Sequence, residues 1–389
     1  MHEDSAAPPP SDPAVRVQSL TLTSFRNYQR ATLDLPADGV ALLGDNGHGK
    51  TNLLEALYYL ALFRSARGAR DKDLVRFGDT GFHVSATVDG SPRGALSIAA
   101  GFEAATQKKK VAIDGVEVTR LSDAIGAAPA VLFSPADVAL VRGAPAERRR
   151  FLDVMLALAD RRYLLALQRY RHALAQRNAA LRALGGQPRD AQAMDAVAAF
   201  EPALAHAGSQ MLVRRHAWAI DAAPAYAAML DAIGERTPVS LTLKRGGGGR
   251  TDASELAAWL ADTLATQRVH DVRRGTTHTG PHRDELQLLL DGRDLRSFGS
   301  NGQQRSAAIA LRMLEARTLQ ASLGTAPLLL LDDPFAELDA ERSARILHLL
   351  GTRGLGQVVL AVPRSEDIPR ALTGLPTVRV RHGTLAVDT

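Results

Sequence analysis

The sequence predicts an α/β fold in which the two halves of one α/β lobe are separated by a large, mainly helical insertion. Three observations predict it. A short apolar strand, a glycine-rich turn and a helical pattern follow one another within residues 39–63. A helical pattern then occupies residues 146–232, and an apolar strand at 328–331 ends in two aspartates. The first and last elements lie too far apart for one compact domain, so the insertion is expected to form a second lobe.

The first lobe is predicted to comprise residues 15–130 and 325–389. Alternation of apolar and polar residues, or short continuous apolar runs, predicts its strands, and apolar residues at helical spacing predict its helix. These elements are strands at 15–35, 39–43, 83–88, 96–102, 328–331 and 357–362, a hairpin within 109–118 and a helix at 52–63.

The second lobe is predicted to span residues 131–324. Helical periodicity runs from 146 to about 232, with breaks at Gly185-Gly186 and at Pro188. The remaining predicted elements are a strand at 239–244 and helices at 253–268 and 303–320.

Composition restricts the class of protein. The chain has 389 residues, of which 46% are hydrophobic and 23% charged, and its net charge is +5. These values are ordinary for a globular protein of two or three domains and exclude a largely disordered, collagenous or coiled-coil chain. Because the chain contains no cysteine, disulfides, thiolate zinc sites, iron–sulfur clusters and cysteine nucleophiles are excluded as well.

Residues 1–14 are predicted to be a disordered tail. They carry acidic residues and a run of three prolines where a secretory signal needs a basic start and an apolar stretch. No window of the sequence approaches the roughly 18 uninterrupted apolar residues of a membrane-spanning helix. We therefore expect a soluble, cytoplasmic protein with no membrane partner.

The glycine-rich turn fits the phosphate-loop pattern of Gly, four residues, Gly, Lys and Thr, between a strand and a helix. Its backbone N–H groups and the helix N-terminus would bind phosphate oxygens. Lys50, expected to face solvent, would reach the β- and γ-phosphates, and Thr51 would bind Mg²⁺. The alternative is a chance match, against which the flanking strand and helix count. The predicted nucleotide-binding residues are Gly44, Asp45, Asn46, Gly47, His48, Gly49, Lys50 and Thr51.

Two carboxylates follow the apolar strand at 328–331, the position expected when an acid must be held rigidly beside a metal at a sheet edge. Asp332 would bind Mg²⁺, directly or through water, and Asp333 would orient or deprotonate the attacking water. The alternative is a strand that ends in a capped turn, which becomes less favoured once a phosphate loop stands upstream.

Ser300 begins the helix that precedes the carboxylate strand. It is placed to cap that helix, whose first N–H groups would then point outward as an anion site, with Gly302 and Gln303 in the first turn. A plain helix N-cap with no ligand remains the alternative.

Arginines are concentrated between residues 142 and 182. This segment has ten arginines against three acidic residues, a local balance of +7 that exceeds the net charge of the chain. The surplus favours contact with a polyanion, and a solvated helix face is the alternative. The candidate contacts with a polyanion are Arg148, Arg149, Arg150, Arg161, Arg162 and Arg169.

Taken together, these motifs resemble the RecF family of SMC-like, ABC-type ATPases over nearly the whole chain from Leu20 onward. The matching segments are 24–28, 44–56, 131–135 with Asp137, 147–153, Tyr170, 176–178, 279–284, 298–305, 332–334 and 337–339. The resemblance implies an ABC-type ATPase head as the first lobe and a helical second lobe that carries the signature motif.

The resemblance also implies a function: ATP-dependent DNA binding in recombinational repair and replication-fork recovery, with RecO and RecR, to help load RecA at single-strand gaps. It implies an ATP-driven homodimer in which residues 300–304 complete the ATP site of the second subunit. Asp339 would lie near the dimer interface, and Arg26 would approach the phosphates. Slow hydrolysis would release DNA.

The sequence departs from the ABC-type pattern at three points. Asp333 stands where transporter-type ATPases have glutamate, and Pro363-Arg364 occupy the place of a γ-phosphate-sensing residue. The glutamine of the Q-loop has no assigned position. The alternative function is an ATPase subunit that is coupled to a membrane or other protein partner and binds no DNA, against which the +7 segment counts.

Overall fold

The computed structural model describes residues 13–186, 191–335, 338–351 and 356–387. The chain divides into two compact units, the first comprising Met1–Pro135 with Glu315–Thr389 and the second Ala136–Leu314. Residues 131–135 and 315–324, predicted as part of lobe II, thus cluster with the first unit. Residues 1–12 of the predicted tail lie outside the described residues, whereas Ala14 forms a bridge with Ala326.

The first unit contains an antiparallel sheet of six strands in the order β2-β1-β4-β5-β6-β7. Its strands are β1 (Arg16–Phe25), β2 (Tyr28–Asp34), β4 (Gly81–Ser91), β5 (Gly94–Glu103), β6 (Lys108–Ile113) and β7 (Val116–Glu117). Buried and exposed residues alternate along β1 and β4, as expected for a sheet with one face on the core.

A second sheet of the same unit has the order β15-β14-β3-β13-β12-β8 and is parallel except for β15. Its strands are β3 (Gly39–Leu43), β8 (Ala130–Phe133), β12 (Leu328–Asp332), β13 (Val358–Val362), β14 (Thr377–Arg381) and β15 (Thr384–Val387). Every residue of β3 and β13 is buried, because a parallel sheet is covered on both faces. Helix α1 (Lys50–Leu62) packs on β8, β12 and β13.

The second unit is mainly helical. It contains α2 (Ala139–Arg142), α3 (Pro145–Ala159), α4 (Arg161–Ala183), α5 (Ala191–Ala198), α6 (Glu201–Ile233), α7 (Ala253–Arg274), α8 (Leu295–Phe298) and the beginning of α9 (Asn301–Leu323). Helix α6 packs against α4, α7 and β9. A three-stranded antiparallel sheet consists of β9 (Val239–Lys244), β10 (Glu285–Leu290) and β11 (Arg293–Asp294).

The predicted α/β lobe with a mainly helical insertion is confirmed. Strand β10 of the second unit was not predicted. In the first unit, strands β14 and β15 and helix α10 (Ala340–Gly351) were not predicted either. The helical run from 146 is interrupted between α3 and α4, where the Asp160 side chain accepts a hydrogen bond from the backbone N–H of Arg162 over 2.8 Å and caps α4. An aspartate inside an apolar periodicity is therefore a helix boundary here.

Candidate nucleotide-binding site

The loop between β3 and α1 can be built only with glycine at two of its positions. Gly44 has φ of 152°, and a Cβ there would lie 2.2 Å from the carbonyl oxygen of Val380. At Gly49, with φ of 119°, a Cβ would lie 2.6 Å from the side-chain nitrogen of Asn27. The hydroxyl of Tyr28 donates to the Gly49 carbonyl over 3.0 Å, so the β1–β2 turn holds the loop from outside. The loop backbone is thereby fixed before any ligand binds.

Lys50 lies across this loop. Its ammonium contacts the Gly44 carbonyl and donates to the Asp45 carbonyl over 3.1 Å, and the residue is 7% exposed. The prediction that Lys50 faces solvent is therefore wrong. Burial lowers the pKa of the Lys50 ammonium, and the carboxylates of Asp332, Asp333 and Asp45 oppose that shift. The lysine is thus held against the backbone carbonyls of its own loop.

Thr51 and Asp332, which come from opposite ends of the sequence, meet beside the loop. The Thr51 hydroxyl donates to Asp332 Oδ1 over 3.0 Å. Burial raises the pKa of the Asp332 carboxyl; the Thr51 hydrogen bond and Lys50 oppose that shift, and Asp333 adds to it. A hydroxyl and a carboxylate are the hard oxygen donors that Mg²⁺ prefers, so the two residues predicted to hold Mg²⁺ suit that ion.

A cleft of about 230 Å³ lies above these residues. Its walls are formed by Asn46, Gly47, Gly49, Lys50, Thr51, Asn52, Arg67, Asp332, Asp333, Ala361 and Pro363. The structure thus brings together the phosphate loop and both predicted carboxylates at the carboxyl ends of β3, β12 and β13, where ligands bind in open α/β sheets.

Asp333 has a left-handed backbone conformation, with φ of 45°. Its N–H donates to the Ala361 carbonyl over 2.9 Å, which continues the β12–β13 pairing one residue past Asp332. A left-handed aspartate is uncommon, and such strain is concentrated at functional sites. The carboxylate of Asp333 lines the same cleft as Asp332.

Glu55 and Arg67 form a part of the site that the sequence did not reveal. Glu55 of α1 is 1% exposed and accepts from Arg26 over 2.9 and 3.1 Å and from Arg67. Arg67 also donates to the Asn52 side chain over 2.7 Å. Burial acts to raise the pKa of Glu55, but the hydrogen bonds from Arg67, Arg26 and Ser65 outweigh it, and the pKa lies below its usual value.

The cleft lining changes the choice of phosphate-facing arginine. Arg26 and Arg67 both contact Glu55, and of the two it is Arg67 that lies on the cleft wall. A glutamate inside an otherwise apolar helix was the available sequence signal, because a buried carboxylate needs cationic partners.

Ser300 belongs to the second unit, whereas the cleft is built from the first. Its hydroxyl accepts from the Gln303 N–H over 3.3 Å, while its own N–H donates to Gln303 Oε1 over 2.8 Å. This reciprocal pair is a capping box at an exposed helix start. Arg142 contacts Gln304 and donates to Asn301 over 2.6 Å, which fixes the first turn of α9 against α2.

The predicted DNA contact at Arg148 is wrong. Arg148 is 7% exposed, pairs with Glu285 over 2.9 Å and donates to three backbone carbonyls of residues 140–143. Arg149, half-buried, donates to the Asp284 carbonyl over 2.9 Å. Glu285, which lies far from Arg148 in the sequence, balances the charge of Arg148.

Further arginines of the segment are also paired. Arg171 contacts Asp153 over 2.9 Å, and Arg177, with no exposed surface, contacts Asp271 over 2.7 Å and Glu201 over 3.0 Å. The predicted DNA contacts whose side chains are exposed are Arg150, Arg161, Arg162 and Arg169.

The loop, the two carboxylates at the sheet edge and the helical second unit define the class of an ABC-type ATPase head. Residues 16–382 match the family described as RecF/RecN/SMC N terminal domain. The chain is 37% identical to the DNA replication and repair protein RecF of Roseiflexus castenholzii, over 95% of this chain and 99% of that protein. It is 34% identical to RecF of Lacticaseibacillus casei, over 96% of this chain and all of that protein.

A solved structure of the recombination mediator protein RecF-ATPrS in the RecFOR pathway is similar throughout. Its TM-score is 0.87 at 25% identity, covering 97% of this chain and all of that chain. The chain belongs to the RecF family, and its fold is the ABC-type head of that family. Within the part of the chain that the structure describes, no helix is long and apolar enough to cross a membrane.

Proposed function

We propose that this chain is an ATP-dependent DNA-binding protein of recombinational repair and replication-fork recovery. It acts with RecO and RecR to help load RecA at single-strand gaps. The observation that carries the ATP-binding part is the 3.0 Å contact between Thr51 and Asp332 beside a loop closed by Lys50. Membership of the RecF family, and the likeness to a RecF of the RecFOR pathway, support the remainder.

In this proposal the cleft binds ATP with Mg²⁺. Loop N–H groups and Lys50 bind the β- and γ-phosphates, and Thr51 and Asp332 hold Mg²⁺, which would neutralise phosphate charge. Arg67, held by Glu55 at the cleft wall, supplies a further cation toward the terminal phosphate. Asp333 orients the attacking water, and its short side chain is consistent with slow hydrolysis.

ATP serves chiefly to join two copies of the chain. The capped start of α9 carries an exposed Ser300 and half-buried Gly302 and Gln303, a surface that can complete the ATP site of a second subunit. Because each γ-phosphate would then be touched from both subunits, ATP binding favours the dimer and hydrolysis favours its separation.

DNA binding in this proposal uses phosphate contacts from the exposed arginines of α3 and α4, namely Arg150, Arg161, Arg162 and Arg169. Such contacts give affinity that depends on salt and not on base sequence.

Fluorescence anisotropy of a labelled gapped duplex, with ATP, with ADP and without nucleotide, tests the proposal. We expect binding with ATP and at least tenfold weaker binding otherwise, with dimers in the ATP sample by light scattering. DNA affinity that is the same with ATP, with ADP and without nucleotide would contradict ATP-dependent binding. No DNA binding at low salt would favour an ATPase that is coupled to another partner. Pull-down with purified RecR and RecO then tests the partners.

A further inference from the structure

Two histidines and a buried aspartate come together at the end of α7 in the second unit. They are His270, Asp271 and His278, and one potential ligand atom from each lies within 4.8 Å of the other two. The rings of His270 and His278 are 4.9 Å apart between centroids and meet edge to face. Gly275, with φ of 66°, ends the helix and turns the chain so that His278 returns to the last turn.

The aspartate of this cluster is rigidly held. Asp271 has no exposed surface, and its Oδ2 accepts from Arg177 over 2.7 Å. Its Oδ1 accepts from the backbone N–H of His278 over 3.1 Å and lies 2.9 Å from His278 Nδ1. Arg177 also donates to Thr277 over 2.8 Å, so the loop that carries His278 is fixed to the same buried arginine.

The three ligand groups point to a late first-row divalent cation. Imidazole nitrogen binds Zn²⁺, Co²⁺ or Ni²⁺ far better than it binds Mg²⁺ or Ca²⁺, and the charge of Asp271 is already balanced by Arg177. A hard cation held mainly by charge is therefore disfavoured. A tetrahedral zinc site places its ligand atoms about 3.4 Å apart. Asp271 Oδ1 and His278 Nδ1 lie 2.9 Å apart, and the exposed ring of His270 can adjust its position.

We propose that His270, Asp271 and His278 bind one such ion, with Zn²⁺ as the natural choice and water in the fourth position. The ion joins the last turn of α7 to the loop that leads to residues 281–283 and β10, and it stabilises the second unit. This site is independent of the nucleotide cleft, which belongs to the first unit.

Titration of the metal-free full-length chain with Co²⁺, in excess Mg²⁺ to fill hard oxygen sites, tests the proposal. We expect one equivalent to bind with the visible absorption bands of tetrahedral Co²⁺, Zn²⁺ to displace it, and Zn²⁺ to raise the thermal midpoint. His270→Ala and His278→Gln should each weaken Co²⁺ binding at least tenfold, and circular dichroism of the metal-free proteins should match the parent's.

His382→Ala is the matched control, because His48 and His382 form another close pair, with ring centroids 4.3 Å apart. This variant should bind Co²⁺ as the parent does. Absence of tetrahedral bands, bands unchanged in both His270→Ala and His278→Gln, or bands lost only in His382→Ala would each overturn the proposal. His270 is exposed, so its variant separates lost ligation from lost folding.

Discussion

The nucleotide cleft and the arginine-rich segment 142–182 both depend on cationic side chains, but the two regions hold them differently. In the cleft, Lys50 lies over backbone carbonyls of its own loop, and Arg67 reaches the cleft wall while it contacts Glu55. In the segment, Arg148 and Arg177 point inward to acids far away in sequence. In the proposed function the cleft directs its cations to ATP, whereas the segment uses several of its arginines as internal cross-links.

The difference follows from how each arrangement is encoded. A phosphate loop is defined by spacing along a few residues, and its glycines allow only one backbone path. An arginine on a helix reaches whatever carboxylate the tertiary fold brings near, and a buried pair is expensive to leave unmade. Local charge excess therefore says little about which arginines remain on the surface.

Lys50→Ala should have the largest effect on function. We expect ATP affinity to fall by about 4 kcal/mol, roughly a thousandfold, since two charge-assisted contacts to phosphates are lost. Isothermal titration with ATP and Mg²⁺ measures this. Lys72→Ala, which removes an exposed lysine of the same unit away from the cleft wall, is the control. Parental affinity in Lys50→Ala would contradict the proposal that the cleft binds ATP.

Arg148→Ala should destabilise the second unit, which contains the arginine-rich segment 142–182. Loss of the guanidinium leaves Glu285 and three carbonyls unpaired, and we expect the second unit to lose about 3 kcal/mol of stability. Both tryptophans, Trp218 and Trp259, belong to that unit, so their fluorescence during urea unfolding reports it. If the variant were as stable as the parent but bound DNA more weakly, Arg148 would instead be a contact with DNA.

Features that are encoded by local spacing could be predicted from the sequence, whereas features that depend on tertiary contacts could not. The lobe with its insertion, the loop and the Asp332 strand followed from periodicity and local spacing. The pairing of Glu55 with Arg26 and Arg67 did not, because it depends on how α1 packs beside the β1–β2 turn. The burial of Arg148 depends on β10, a strand that the sequence pattern did not reveal.

The second unit should also respond to acid. Burial lowers the pKa of His282 to about 4; its Nδ1 accepts from Tyr170 over 2.6 Å, and Nε2 donates to the Thr277 carbonyl over 3.0 Å. In the unfolded chain this histidine takes up a proton near pH 6.5. The contribution of neutral His282 to the free energy of unfolding is therefore complete above that pH and is lost as the pH falls toward 4. We expect a loss of about 2 to 3 kcal/mol by tryptophan fluorescence.

His282→Gln is the test of that assignment. Glutamine cannot gain the proton, so the variant should lose less stability than the parent between pH 6.5 and 4, although it starts from a lower value at neutral pH. Equal slopes in both proteins would assign the acid sensitivity to other groups.

The exposed arginines of α4 should affect DNA binding without affecting stability. Replacing Arg162 and Arg169 by alanine should reduce the log–log salt slope of duplex binding by about 0.9 for each lost phosphate contact. The urea midpoint should stay within the error of the parent's. An unchanged slope and affinity would show that this helix face is only solvated, and that the DNA surface lies elsewhere.

Mixing two inactive variants tests whether Ser300 serves the ATP held by Lys50 of the opposite subunit. Lys50→Arg keeps a cationic side chain at the phosphate loop, and Ser300→Arg leaves the loop unchanged. Both variants are therefore expected to bind ATP, so that dimers can form. If the sites are shared, each heterodimer has one site with both defects and one with none. Half the dimers of an equal random mixture are heterodimers, so roughly a quarter of parental ATPase activity should return.

If each site were built within one chain, every site in the mixture would carry a defect and no activity would return. Heterodimers must be shown directly, by differently tagged chains copurified with ATP. A dimer with both substitutions in one chain and none in the other provides the second arm. If the sites are shared and both must hydrolyse ATP together, neither dimer is active. If each site lies within one chain and works independently, only the second dimer is active. Recovery in the first dimer alone identifies Ser300 as a residue that acts across the interface.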